Sequence, residues 1–211
     1  MSKRKFSSEF DMKDVDVKSI SPLYDGFFKI DLYQLEHARF AGGKLTGVNR
    51  ELFIRGHAAA VLPYDPVKDR IVLVEQFRVG AMATKQSPWL LEVVAGMIEP
   101  KQSPEQVATR EAHEEAGIEV RELIPMLDYM SSPGGTTERI HLFLGIIDSE
   151  GVGGIHGLES EHEDIKVHVF DYDDALHLLQ SGELDNAATV ISMQWLALNK
   201  QKLFPTSELN N

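Results

Sequence analysis

Within the run Arg110-Glu111-Ala112-His113-Glu114-Glu115-Ala116-Gly117, Glu114 and Glu115 lie three and four positions after Glu111. On a helix that spacing brings all three carboxylates onto one face. Like charges so crowded destabilise an isolated helix, and a hard divalent cation offsets the repulsion, because magnesium prefers carboxylate and water oxygens. The same triplet also suits a solvated acidic face on which Arg110 is an ion-pair partner. A second acidic run, Glu161-His162-Glu163, follows a glycine-rich stretch and by itself reads as a mobile, solvated turn. His156 and His162 lie nearby, yet the oxygen-rich donor set favours magnesium or manganese over zinc. Glu92 reads as the ion-pair partner of an arginine rather than a metal ligand.

The elements that must hold these groups are legible. Ser103 suits an N-cap, Pro104 the first helical position, Gln106 completes a capping box, and Gly117 stands where a C-cap glycine belongs. The face opposite the glutamates carries Ala108, Ala112 and Ala116, with Val107 at its edge, small enough to lie close on a sheet. Before this helix, residues 58–63 and 69–76 read as strands joined by a turn at Tyr64-Asp65-Pro66. A loop over 80–88 then leads to a strand at 89–95. After it, strands are expected at 123–129, 140–147 and 165–170, with a glycine-rich acidic loop at 149–164 and helices at 173–180 and 186–199. Residues 1–16 are polar and read as mobile at the start. Residues 27–35 and 51–54 look like strands separated by Gly42-Gly43 and Gly47. About 50 residues of strands make a marginal fold alone, so this part should lean on another domain or subunit.

The bulk numbers exclude several classes. With 43% hydrophobic and 26% charged residues, the 211-residue chain is globular rather than disordered. A net charge of -12 repels a nucleic-acid backbone, and no basic patch offsets it. Met1-Ser2-Lys3-Arg4-Lys5 is basic, but no apolar stretch follows it as a secretory signal requires, and no apolar run is long enough to span a bilayer. The absence of cysteine excludes disulfides, thiolate catalysis and Cys-ligated zinc. A cytoplasmic protein that binds neither nucleic acid nor membrane is expected.

The stretch from Gly96 to Ile118 resembles the Nudix box: Gly, five residues, Glu, seven residues, Arg-Glu, an aliphatic, any residue, Glu-Glu, any residue, Gly, an aliphatic. Gly96, Arg110, Glu111, Glu114, Glu115, Gly117 and Ile118 fall on the required positions, Ala112 is a small stand-in for the aliphatic, and Gln102 replaces the first Glu. The resemblance implies an α/β class fold, an α/β/α sandwich with a mixed sheet, here with a small N-terminal β-rich domain added. It implies magnesium as cofactor, with manganese as a possible substitute. Glu111 and Glu115 would be the principal ligands, with the backbone carbonyl of Ala95 and, from the later loop, Glu163. Arg110 and Glu114 would belong to the catalytic machinery, and Glu161 would be the general base.

The likeness extends over most of the chain and is closest to the bacterial ADP-ribose pyrophosphatases within that family. It is carried by Gly26-Phe27-Phe28, Glu75-Gln76-Phe77-Arg78, residues 131–138 with Pro133 sixteen positions beyond Gly117, and residues 154–164. It implies hydrolysis of ADP-ribose to AMP and ribose 5-phosphate, with Phe27 stacking on adenine, Arg50 and Arg78 facing the diphosphate, and Ser132 and Glu138 positioning phosphate or ribose. Residues 1–56 would form a dimerisation and substrate-binding domain and 57–211 the hydrolase domain, in a homodimer that exchanges its N-terminal strands. A hydrolase of another nucleoside diphosphate sugar, or a non-catalytic module that binds ADP-ribose, would share much of this pattern.

Overall fold

The computed structural model describes residues 6–85 and 87–205. The basic segment 1–5 lies outside the described residues. The chain divides into two compact units, one running to Arg55 and taking in Ser132–Glu138, the other comprising Gly56–Ser131 and Arg139 onward.

In the first unit residues 11–16 are more ordered than their polarity suggests. The carboxylates of Asp14 and Asp11 accept the N–H groups of Asp11 and Lys13, closing a capping box around a short 3-10 turn at Met12–Asp14. Val15 then opens β1 (Val15–Asp25), which runs antiparallel to β2 (Lys29–Ala38), itself antiparallel to β3 (Lys44–Ile54). Phe27 and Phe28 are therefore not strand residues as expected. They form the tight turn between β1 and β2, where the Gly26 N–H donates to the Phe28 carbonyl at 3.0 Å. Gly47 does not separate strands either. It sits inside β3 at φ 65°, where pairing slips from Leu35↔Val48 to His37↔Leu45, a left-handed position that a residue without Cβ takes without strain. Segment 132–138 docks beside β3: the Phe53 N–H donates to the Gly135 carbonyl (2.8 Å) and the Thr137 N–H to the Phe53 carbonyl (3.2 Å).

The second unit is an eight-stranded mixed sheet between helices. Its strands are β4 (Ala58–Asp65), β5 (Arg70–Phe77), β6 (Trp89–Glu92), β7 (Val94–Met97), β8 (Glu122–Met130), β9 (Arg139–Ile146), β10 (Gly154–His156) and β11 (Ile165–Asp171). The order is β10-β11-β5-β4-β9-β8, with β6 paired to β5 and β7 to β4; β4 and β9 are parallel and the other pairs antiparallel. Helix α1 (Pro104–Ala116) covers one face through Val107, Ala108, Ala112 and Ala116 against Val72, Val74, Val94 and Phe143. Helices α2 (Tyr172–Ser181) and α3 (Ala187–Leu203) cover the other, Ala175, Met193 and Leu196 meeting Leu62, Leu73 and Leu144. This is the expected α/β/α sandwich with a mixed sheet. Among the described residues no helix is long and apolar enough to cross a membrane.

The expected single strand at 89–95 is two strands. At Val93 the chain leaves β5 and turns to β4, and the buried Val93 N–H donates instead to the Thr189 hydroxyl at 3.0 Å. A periodicity rule sees continuous apolar residues and cannot see the change of partner. The loops expected at 80–88 and 149–164 also hold local structure: a 3-10 turn at Val79–Ala83 in the first, β10 and a 3-10 turn at Glu159–Glu161 in the second.

Thr189→Val should strand that buried donor. A loss of about 1–3 kcal/mol is expected from urea unfolding, while Thr189→Ser, which keeps the hydroxyl, should cost clearly less. Equal losses would show that packing rather than the hydrogen bond holds the switch.

Candidate active site

Helix α1 begins and ends as its composition dictates. Ser103 and Gln106 bond each other's backbone N–H groups, and Gly117 closes the last turn at φ 64°. Its alanines let it lie close enough to the sheet for its glutamates to reach β7. The Ala95 N–H donates to the Glu115 carboxylate at 3.1 Å. At Gly96 a Cβ would fall 1.7 Å from a Glu111 carboxylate oxygen, so the glycine is the cradle in which that carboxylate lies. Arg110 bridges the triplet, donating to Glu111 at 2.7 Å and to Glu114 at 2.6 Å. Gln102, the one departure from the expected pattern, accepts from the Glu99 N–H at 3.2 Å and needs no charge to do so.

The electrostatics separate the three acids. Glu115 is 2% exposed, and burial pushes its carboxyl up to about 8, with Glu111 and Glu163 adding to the rise and the Ala95 N–H and Arg78 opposing it. Glu111 is raised as well, first by burial, then by Glu114 and Glu163 against the pull of Arg110. Burial disfavours the ionised form of both carboxylates, and a cation beside them favours it. An all-oxygen donor set of Glu111, Glu115, Glu163 and a main-chain carbonyl suits a hard divalent ion. Among the described residues no three acidic or histidine side chains already converge into a closed cage. The reason is local: Glu111 is engaged by Arg110, Glu115 by Ala95, and Glu163 accepts the Leu158 N–H at 3.2 Å.

The loop bearing Glu161 and Glu163 is tied to the end of α1. His156 packs on Gly117, where a Cβ would come within 2.7 Å of its ring, and the Gly157 N–H donates to the Glu114 carbonyl at 3.4 Å. Gly157 has φ 102°, and a Cβ there would meet Glu163. Glu161 ends the 3-10 turn exposed, its N–H donating to the Leu158 carbonyl at 2.9 Å and its carboxylate with no hydrogen bond or ion pair among the described residues. Arg78 lies on the same side of the sheet. Its Nε donates to Glu92 at 2.6 Å, and Asn186 donates to the other Glu92 oxygen at 2.6 Å. Glu92 is thus the arginine partner it was expected to be, and the terminal nitrogens of Arg78 have no partner among the described residues.

The remaining expected residues belong to the first unit. Phe27 is 86% exposed and meets Phe28 edge-on, while Phe28 packs on Phe53. The contrast between the two rings comes from the turn rather than from strand alternation. Arg50 is exposed and donates to the Asn49 carbonyl. The Ser132 carbonyl accepts the Gly135 and Thr136 N–H groups, which shapes the turn containing Pro133. Glu138 is buried and faces Arg55 at 3.1 Å, an ion pair without hydrogen-bond alignment, and the Arg55 guanidinium lies over the Phe28 ring at 5.4 Å. Arg55 was missed from sequence; a cation just past a strand end becomes informative only once its buried partner is known.

The NUDIX domain family matches residues 54–191. "ADP-ribose pyrophosphatase" of Escherichia coli is 50% identical over 194 residues, covering 92% of this chain and 93% of its own. "ADP-ribose pyrophosphatase" of Haemophilus influenzae is 48% identical over 197 residues, covering 92% and 91%. A solved structure described as "Crystal structure of ADP compounds hydrolase" superposes with a TM-score of 0.68 at 18% identity, covering 90% of this chain and 98% of that one, a likeness of fold.

Glu115 makes a pH signature in the metal-free protein. Its folded value, raised from 4.5 to about 8, keeps a proton that the unfolded chain has lost, so stability falls as pH rises through that window. At about 1.4 kcal/mol per unit the fall amounts to a few kcal/mol. Urea unfolding in chelator from pH 5 to 8 should show it, and Glu115→Gln should flatten much of the slope, Glu111 supplying the remainder. Parallel curves for the two proteins would remove Glu115 as the source.

Proposed function

The chain belongs to the NUDIX domain family and is a Nudix hydrolase, and we propose that its substrate is ADP-ribose, cleaved at the pyrophosphate bond to AMP and ribose 5-phosphate. The observation that carries this reading is the Glu111–Glu115 pair on a rigid helix, Glu115 buried and Glu111 half-buried, with Glu163 close enough to raise both. The names of the relatives at 50% and 48% identity support the choice of substrate.

Magnesium, with manganese able to replace it, is the proposed ion; bound there, it would neutralise the diphosphate oxygens and lower the pKa of the attacking water. Glu111, Glu115, Glu163 and the Ala95 carbonyl would hold it, and Arg110 keeps the Glu111 and Glu114 carboxylates in place. Glu161 takes the proton of the attacking water at its exposed carboxylate. The free terminal nitrogens of Arg78 face a diphosphate oxygen pair, a match for guanidinium geometry. Arg50 is assigned to the diphosphate as well, Phe27 to adenine, and Ser132 and Glu138 to phosphate or ribose.

We assign residues 1–56 to a dimerisation and substrate-binding domain and 57–211 to the hydrolase domain, with Ser132–Glu138 returning to pack on the first. Val48 is the one buried apolar side chain of the β1-β2-β3 sheet among the described residues, while Val17, Ile20, Leu23, Tyr24 and Leu45 are exposed. Such a sheet gains stability by covering that surface with a second copy, which supports a homodimer that exchanges these strands. A cytoplasmic site of action, with neither nucleic acid nor membrane as partner, fits the net charge of -12.

Phosphatase-coupled turnover of ADP-ribose should require magnesium. Glu115→Gln should lower it more than about a hundredfold, and Glu161→Gln should lower kcat by about 10²–10⁴-fold with KM little changed. A Glu115→Gln enzyme within a few-fold of wild type would refute the metal-helix mechanism. Ile20→Asp should yield monomers by analytical ultracentrifugation and raise KM; a strictly monomeric, fully active protein would refute the dimeric reading.

A further inference from the structure

Gln76 is 6% exposed on β5, and its amide nitrogen is buried without a partner. Strand alternation sets its direction. Val72 and Val74 point into the core beneath α1, and Gln76 and then Arg78 follow on the same face. Strand β11 runs alongside, pairing Lys166 with Glu75, and one further step of that register brings Ile165, a member of the same core, next to Gln76. Glu163 stands two residues before Ile165, and its Cβ lies against Gly157, whose N–H donates to the Glu114 carbonyl at the end of α1. One Glu163 oxygen takes the Leu158 N–H; the other has no partner among the described residues. A lone buried donor and a lone acceptor thus both lie at the root of the acidic loop.

We propose that Gln76 is a positioning residue of the cation site, its amide donating to the free oxygen of Glu163 and turning that carboxylate toward Glu111 and Glu115. The inference rests on the reading of these three acids as cation ligands. It accounts for an amide where packing alone would favour a leucine or methionine. An amide left unbonded in a core is a standing cost, and it is relieved when Glu163 swings onto it. Partners of this kind typically tune metal affinity by about 10–100-fold.

The test is Mn²⁺ binding to the full chain, followed by electron paramagnetic resonance and calorimetry, in wild type, Gln76→Met, Glu163→Gln and the double variant. Gln76→Met should bind Mn²⁺ about tenfold or more weakly, while its metal-free unfolding midpoint stays level or rises, since an unsatisfied donor has been removed. The double variant should bind no more weakly than Glu163→Gln alone. Gln76→Asn, which keeps the amide but withdraws it by one methylene, gives the same expectation should the methionine variant fail to fold. Wild-type affinity in both Gln76 variants, or additive losses in the double variant, overturns the proposal. Failure of wild type to bind Mn²⁺, or an unchanged affinity in Glu163→Gln, overturns the underlying site reading instead.

Discussion

A carboxylate held out of water governs this structure. Glu115 is shielded by the sheet on which α1 lies, and the Ala95 N–H is its sole hydrogen-bond donor among the described residues. Everything around it follows from tolerating that group. The alanine face of α1 brings the helix down onto the sheet, Gly96 leaves room for Glu111 alongside, and β7 presents its backbone there because the chain changes partners at Val93. Arg110 supplies compensating charge to two of the three acids, Glu111 and Glu114. Buried charge of this kind is costly to folding and is retained where a function requires it.

The two groups of acids are built on opposite principles. Glu111, Glu114 and Glu115 ride on a helix with both ends capped, so their spacing is rigid. Glu161 and Glu163 ride on a segment flanked by Gly153, Gly154 and Gly157, all at positive φ, and fastened to α1 by His156 and one backbone bond. A rigid half gives precise placement, and a glycine-flanked loop is the kind of element that can move over a bound substrate.

Helix α1 was legible almost to the residue, because Ser103, Pro104, Gln106 and Gly117 act within one turn of themselves and short-range chemistry is what a sequence records. The pairing of Glu92 with an arginine was legible for a similar reason: a carboxylate in a buried strand must find a cation. What escaped were features set by distant partners. Val93 looks like any strand residue until Thr189 from α3 takes its N–H. Phe27 and Phe28 read as alternating strand aromatics, but the β1 strand that turns back on them was not apparent in a polar stretch. The orphaned amide of Gln76 and the Arg55–Glu138 pair likewise depend on which strands lie side by side, as do the local elements inside the two loops. Of the acidic constellation, the helical half could be read from spacing, while Glu163 was named only through the family resemblance, because its place near α1 depends on where β11 runs.

The excursion of Ser132–Glu138 changes how the chain can be cut. Strand β8 ends at Met130 and β9 begins at Arg139, so a segment inserted between two neighbouring strands of one sheet spends its backbone bonds on β3 instead. A chain shortened to begin after Arg55 would expose the Gly135 carbonyl and the Thr137 N–H and leave Glu138 without Arg55. The catalytic sheet is therefore not a module that can be transplanted by a single cut. Shuffling or fusion at residue 55 must also replace the insert between β8 and β9.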